Sequence, residues 1–336
     1  MSKRRKILFT ILGFLLSTVF AIAILELLLR SFYPQEILYP RWAFSPQYCS
    51  TVYPDVRMVH ERPGRWRFVY TTNALRYRGA ALSPSNTYAL PNIVVLGDSY
   101  TFGAGVNDGE EYASVLEREL AGSSRVINLG IGGWGLTQEI RRYHDFGALY
   151  RPTTVILQFS ANDPRDNLKC AITEIRDGRF QFRDSGEGIY RVKEWLSRSW
   201  IQKSQLYNLF RDRIYRLMES RVVEKERATL DRGRNSSAES AEERVYVELL
   251  RHFAEDLHGS GVGLVFLSVN GQLDGFPEIA AEVRRLQEEG LLRYIDAADW
   301  LKGESNYSSP EGHLWGAKAH RILGERLAEL LRPGIS

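Results

Sequence analysis

Asn92-Ile93-Val94-Val95-Leu96 is a short apolar run rich in β-branched residues, and it stops abruptly at Gly97-Asp98-Ser99. Such a run, closed by a turn, predicts a buried strand, here 92–98. Four further runs repeat the pattern, at 125–131, 154–160, 262–269 and 293–297. Helical stretches lie between them. Asp108 is placed to cap a helix over Glu110–Leu120, and Thr137 one over Gln138–Leu149. Strands alternating with helices predict an α/β fold whose parallel sheet is covered by helices on both faces. In such sheets chemistry gathers at the carboxyl ends of the strands, which makes Ser99 a candidate nucleophile.

The N-terminus is a different kind of sequence. Lys3, Arg4, Arg5 and Lys6 precede an apolar run from Ile7 to Leu25, interrupted by Thr10, Ser17 and Thr18 and bounded by Glu26 and Arg30. As a helix this run measures about 28 Å, close to the ~30 Å hydrocarbon core of a bilayer. The positive cluster is expected to stay in the cytoplasm, so a single-pass anchor would leave everything after residue 30 on the other side. A cleaved signal peptide is the alternative, because Ala21-Ile22-Ala23 mimics a small-residue cleavage site, although the apolar run is long for one. The net charge is only +3, and no basic stripe interleaves with aromatics, which argues against nucleic acid as a partner. Cys49 and Cys170 fit one disulfide in an extracytoplasmic chain, or two small buried hydrophobes; both readings stay open.

Three parts follow. Residues 1–30 hold the basic tip and the anchor. Residues 31–90, aromatic and proline-containing without a helical period, read as a stalk and an edge layer; Val56–His60 and Trp66–Tyr70 around Pro63-Gly64 predict a hairpin. Residues 91–336 hold the α/β domain. Its alternation breaks after 168, and 169–240 read as a helical insertion beside the active face. That stretch carries Trp195, Trp200, Leu206, Leu209, Phe210 and Ile214, then a polar loop from Arg232 to Ser237. The insertion is either a lid or a plain helical hairpin.

A serine nucleophile needs a base, donors for the developing oxyanion and, as a rule, a group that orients the base. The run 125–131 leads into Gly130-Ile131-Gly132-Gly133, a turn whose amides no Cβ shields. The run 154–160 ends in Ala161-Asn162-Asp163, which puts a side-chain amide at a third strand end. Losing one oxyanion donor costs ~10²–10³ in rate. Of the six histidines, His60, His144, His252 and His258 fall in the edge hairpin or in helices, and His320 lies inside the final helix. His313 sits in the loop Ser308–Leu314 before that helix and is the candidate general base.

Together these blocks resemble the SGNH hydrolases, also called GDSL esterases and lipases. Gly97-Asp98-Ser99-Tyr100-Thr101-Phe102-Gly103 resembles the family's first block, Asn128-Leu129-Gly130-Ile131-Gly132-Gly133 its glycine block, Ser160-Ala161-Asn162-Asp163 its G-x-N-D block and Glu311-Gly312-His313 its Asp…His block. Thr71-Thr72-Asn73-Ala74-Leu75-Arg76 is similar to the segment before the first block in membrane-anchored members. The resemblance covers roughly 92–168 and 245–332. It implies a three-layer α/β/α sandwich with a parallel, flavodoxin-like sheet behind the N-terminal transmembrane helix. It also implies cleavage of carboxylic esters through an acyl-enzyme on Ser99, with His313 as base and an oxyanion hole of the Ser99 amide, Gly133 and Asn162. Family and location together suggest O-acyl groups on cell-envelope or exported polysaccharide as substrate.

Two positions depart from the pattern. Ser160 replaces the G-x-N-D glycine, and Pro310 stands where the family has an aspartate three residues before the histidine. Glu311, two residues before, either orients His313 to complete a triad or leaves it to a backbone carbonyl and a dyad. Asp98 is expected to be structural, and Asp163 to bond nearby backbone amides. Gly103-Ala104-Gly105-Val106-Asn107-Asp108-Gly109 mimics a dinucleotide fingerprint, but its spacing is wrong and Gly97-Asp98-Ser99 intervenes. No cofactor and no metal are implied, since no histidine or cysteine cluster has ligand spacing. The rival readings are an acyltransferase using the same residues and a non-catalytic binding or assembly protein on the same fold.

Overall fold

The computed structural model describes residues 2–83, 90–120, 122–185, 190–230, 238–268, 271–304, 308–313 and 315–332. The five apolar runs form strands β1 (Asn92–Leu96), β2 (Arg125–Asn128), β3 (Thr154–Phe159), β4 (Gly263–Ser268) and β5 (Arg293–Asp296). All four pairings between them are parallel, in the order β2-β1-β3-β4-β5. This is the flavodoxin-like order, with its switch point between β1 and β3.

Successive side chains of a strand point to opposite faces, so an unbroken apolar run needs cover on both. Val94 and Leu96 pack with Leu157 and Phe159 under the helices Leu136–Asp145, Ala238–Gly259 and Pro277–Glu288. Ile93 and Val95 pack with Ile156 and Val265 under the helices Tyr112–Glu119 and Ala317–Leu331. The result is the three-layer sandwich.

Two helix starts differ from expectation for one reason. The Asp108 carboxylate is taken by Arg78 Nε at 3.0 Å and by the Thr71 amide at 3.1 Å, and the helix begins instead at Tyr112 after Glu111. The Thr137 hydroxyl donates to the Cys170 carbonyl at 2.8 Å, so the next helix starts at Leu136 after Gly135. That helix ends at Asp145, and a separate tight turn spans Gly147–Tyr150.

Residues 37–72 pack against the α/β domain. Ile37–Tyr39, Arg57–Arg62 and Trp66–Thr71 form an antiparallel sheet, with a small hairpin of Ala43–Ser45 and Cys49–Thr51 beside it. Leu38, Val52, Met58 and Tyr70 share a core with Phe102, Ile131 and Trp134, from the loops that leave β1 and β2. The Arg78 side chain, with no exposed surface, donates to the carbonyls of Phe102 (2.8 Å), Gly103 (2.6 Å) and Val106 (2.8 Å). A disulfide joins Cys49 to Cys170, Cα to Cα 6.1 Å, and ties this layer to the segment after β3.

The insertion opens with a hairpin rather than a helix. Thr173–Arg176 pairs with Arg179–Phe182 across Asp177 (φ +52°) and Gly178 (φ +68°), the positive-φ pair that a tight hairpin turn demands. Helices Tyr190–Arg198 and Gln205–Leu230 follow, joined by a turn at Trp200–Lys203. The polar loop from Arg232 to Ser237 lies outside the described residues. At the other end, Lys3–Phe32 forms one helix of 30 residues with no buried side chain.

Candidate active site

β1 ends at Leu96 and the chain must turn at once. Gly97 makes this possible, since at φ +153° a Cβ would lie 2.3 Å from Thr101 Oγ1 and 2.7 Å from Gln158 Oε1. Asp98 then caps a single helical turn, Ser99–Phe102, its Oδ1 accepting from the Tyr100 amide at 3.0 Å. Ser99 is the first residue of that turn, so its N–H has no partner within the helix and is left for another acceptor.

Ser99 Oγ lies 3.2 Å from His313 Nε2, a contact between residues 214 apart in sequence. The loop holding His313 is closed on itself. The Ser309 amide donates to the His313 carbonyl at 2.8 Å, and the Gly312 amide to the Ser309 carbonyl at 3.0 Å. The imidazole packs on the Tyr100 ring, centroids 3.9 Å apart. For Nε2 to accept the serine proton the ring proton must sit on Nδ1, and Nδ1 is buried with no hydrogen-bond partner among the described residues. Burial pushes the His313 pKa below its ordinary value, while Glu311 and Asp98 pull it back up. The imidazole is therefore neutral, ready to take a proton, at neutral pH.

Glu311 is not brought to Nδ1. Its Oε1 accepts from Ser309 Oγ at 3.0 Å. The carboxylate faces Glu36 and His60 instead, the donor atoms of the three lying within 4.8 Å of one another. His60 is itself engaged, Nε2 with Glu36 Oε1 at 2.5 Å and Nδ1 with the Tyr70 hydroxyl at 2.9 Å.

The other two sheet-edge residues stand at the ends of β2 and β3. Gly133 is exposed, at φ +76°, with open space where a Cβ would be. Asn162 follows β3, and both protons of its amide are engaged. Nδ2 donates to Asp98 Oδ2 (3.1 Å) and to Asp166 Oδ2 (2.9 Å), while Oδ1 lies 3.0 Å from Ser160 Oγ. An oxyanion at Asn162 must displace one of those carboxylates.

Behind the nucleophile lies an acidic layer that sequence reasoning did not assemble. Asp98, Glu139, Asp163 and Asp166 are all buried. Glu139 has no partner for either oxygen among the described residues, and burial, with Asp98 and Asp166 nearby, drives its pKa well up. Burial, with Glu139 and Asp98 nearby, does the same to Asp163, whose Oδ2 accepts from the Ser160 amide at 2.8 Å. Asp166 is raised to about 6 by burial, against the pull of Lys169. The sequence points to Asp98 and Asp163 singly, whereas Glu139 comes from a distant helix and leaves no local signal.

Residues 95–314, roughly two thirds of the chain, match the GDSL-like Lipase/Acylhydrolase family. The chain belongs to that family. It is an ester hydrolase of the GDSL type. No curated protein matches it. Among solved structures, TesA aligns at 13% identity and TM-score 0.44, covering 72% of this chain and 98% of TesA. A carbohydrate esterase with divergent catalytic and non-catalytic binding functions aligns at 11% identity and TM-score 0.42, over 90% of this chain and 85% of that one. Est24, a carbohydrate acetylesterase from Sinorhizobium meliloti, aligns at 9% identity and TM-score 0.39, over 72% and 98%.

Proposed function

We propose that this GDSL-family chain is a membrane-anchored, extracytoplasmic serine esterase that cleaves O-acyl esters through an acyl-enzyme on Ser99. The observation that carries the reading is the 3.2 Å contact of Ser99 Oγ with His313 Nε2, at a sheet edge shared with Gly133 and Asn162. His313 Nε2 takes the Ser99 proton as Oγ attacks the acyl carbonyl. The oxyanion is received by the amides of Ser99 and Gly133, and by Asn162 Nδ2 once it exchanges a carboxylate for the substrate. The imidazolium returns the proton to the departing alkoxide, so the ester bond breaks and the acyl group stays on Oγ. Water, deprotonated by His313, then releases the acid. Among the described residues no carboxylate holds Nδ1, so the pair acts as a dyad.

Lys3–Lys6 ahead of an apolar helix supports an anchor with its N-terminus in the cytoplasm and the domain outside. That location motivates O-acylated cell-envelope carbohydrate as substrate; Ser99 loss with no change in polysaccharide acetylation would count against it. The direct test is p-nitrophenyl acetate hydrolysis by the full chain and its Ser99→Ala variant. A loss of at least about 10³-fold is expected. Equal rates would remove Ser99 from the mechanism.

A further inference from the structure

Among the described residues, the hydrogen bonds from side chains of the N-terminal helix to the rest of the chain lie near its far end. Through residue 25 every described side chain is exposed; of the last turns, Glu26 and Leu29 are the two partly covered. Glu26 is bound firmly. Its Oε1 accepts from the Gln205 amide at 2.8 Å, and its Oε2 from Ser204 Oγ at 2.9 Å and the Leu206 amide at 3.0 Å. It therefore serves as the cap of the helix Gln205–Leu230. One turn further on, Arg30 Nη2 donates to the Lys203 carbonyl at 3.3 Å.

These bonds fix a depth. If the apolar run through Leu25 fills the hydrocarbon, Glu26 and Arg30 lie in the headgroup layer, which is roughly 5–8 Å thick on each side. Glu26 to Arg30 rises about 6 Å along the helix, the same span. The residues hydrogen-bonded to them, Lys203 to Leu206, must share that layer. The turn Trp200–Lys203 belongs to it directly, and the helix Tyr190–Arg198 ends immediately before. The exposed side chains here are of a kind a water-facing surface rarely carries: Trp200 is 80% exposed and Trp195 67%, with Phe32 at 80% and Tyr33 at 60% closing the anchor itself. Exposed aromatic rings on the same segments as exposed cations, here Arg30, Arg198 over the Tyr53 ring and Lys203 over the Tyr39 ring, match the lipid–water interface, where tryptophan and tyrosine concentrate and basic side chains gather.

We propose that residues 195–203 form a foot that rests on the bilayer, with Trp195 and Trp200 seated in the headgroup layer beside Phe32 and Tyr33. The catalytic domain is thereby held at a fixed attitude on the lipid surface instead of swinging on a tether. This rests on reading Lys3–Phe32 as a bilayer-spanning anchor, and the experiment separates the two. None of the seven tryptophans lies in the anchor helix, so quenching of tryptophan emission by lipid reports the domain alone. The full chain is reconstituted in phosphatidylcholine–phosphatidylglycerol vesicles, with and without acyl chains brominated near the headgroup. The wild type and a Trp195→Phe/Trp200→Phe variant are compared, each checked for undiminished p-nitrophenyl acetate hydrolysis and for retention after alkaline carbonate.

The expected result is a loss of wild-type emission in brominated vesicles, up to the share of two of the seven tryptophans, that the double variant abolishes. Two results overturn the foot while leaving the anchor intact: carbonate-resistant protein whose emission bromine does not change, or quenching that survives in the double variant. Protein stripped by carbonate overturns the anchor, and the foot with it.

Discussion

Glu311→Gln separates two ways of holding the catalytic histidine. Glu311 Oε1 accepts from Ser309 Oγ at 3.0 Å, and His313 Nδ1 has no partner among the described residues. Glutamine has the same size and still offers an oxygen to Ser309, so the substitution removes charge and little else. For a partly exposed carboxylate outside hydrogen-bond reach, that charge is worth about 1 kcal/mol or less, within about tenfold in rate. A carboxylate that held Nδ1–H would be worth ~10⁴ in kcat. The sign is also determined. Glu311 pulls the His313 pKa up against burial, so its removal moves the acid limb of kcat/KM to lower pH and leaves the plateau near the wild type. In the wild type that limb already lies below the ordinary histidine value. Initial rates on p-nitrophenyl acetate between about pH 5 and 8 decide the matter. A plateau loss of 10³-fold or more would refute the dyad, and a limb that moved to higher pH would refute the Coulombic assignment.

Two further outcomes concern stability. Glu139, buried and unpartnered, has its pKa raised above 4.5, so over the interval above 4.5 the native state holds a proton that the unfolded state has lost. Stability falls through that interval as pH rises, by at most about 1.4 kcal/mol per pH unit, so Glu139→Gln should gain on the wild type with increasing pH; parallel Tm-against-pH curves would contradict this. The Cys49–Cys170 bond closes a loop of 121 residues, and Cys49→Ser should cost about 4–5 kcal/mol, a drop on the order of 10 °C or more in Tm. An unchanged Tm on reduction would show that the bond does not constrain the chain.

What was legible in the sequence follows from where each signal resides. The central strands can be read because a doubly covered strand is apolar at most positions, and the strand ends point to Ser99, Gly133 and Asn162 at one sheet edge. Both misplaced helix caps have a long-range cause: Asp108 serves Arg78, 30 residues away, and Thr137 serves Cys170, 33 residues away. No local rule sees such partners. The hairpin Thr173–Phe182 carries a strong local turn signal in Asp177-Gly178, but the helical pattern after 187 outweighs it over the insertion as a whole. The resemblance of Glu311-Gly312-His313 to the family's Asp…His block points to Glu311, but the block does not tell where the side chain turns, and its Oε1 is taken by Ser309 Oγ.

The hydroxyl of Ser160, where the family has glycine, indicates where charge resides around the nucleophile. Its Oγ lies 2.7 Å from Asp98 Oδ2, 2.9 Å from Asp163 Oδ1 and 3.0 Å from Asn162 Oδ1, yet it has one proton to give. Two short contacts to carboxylates are compatible only if one carboxylate carries a proton. Asp163 is the one whose pKa is driven up, so it can donate to Ser160, which then donates to Asp98. Asp98 is left as the charged member. It receives Ser160 Oγ, Asn162 Nδ2 and the Tyr100 amide, and stands 3.5 Å from Ser99 Oγ. A negative charge there opposes the oxyanion but favours the imidazolium, and Asp98 does pull the His313 pKa upward. Among the described residues no carboxylate reaches Nδ1, and the charge that favours the imidazolium comes first from Glu311 and then from Asp98. Asp98→Asn should therefore lower kcat/KM by no more than about tenfold, about 1.4 kcal/mol or less, and move the acid limb to lower pH. A variant as fast as the wild type, with Asn162 released to bind the oxyanion, would mean that Asp98 restrains the site.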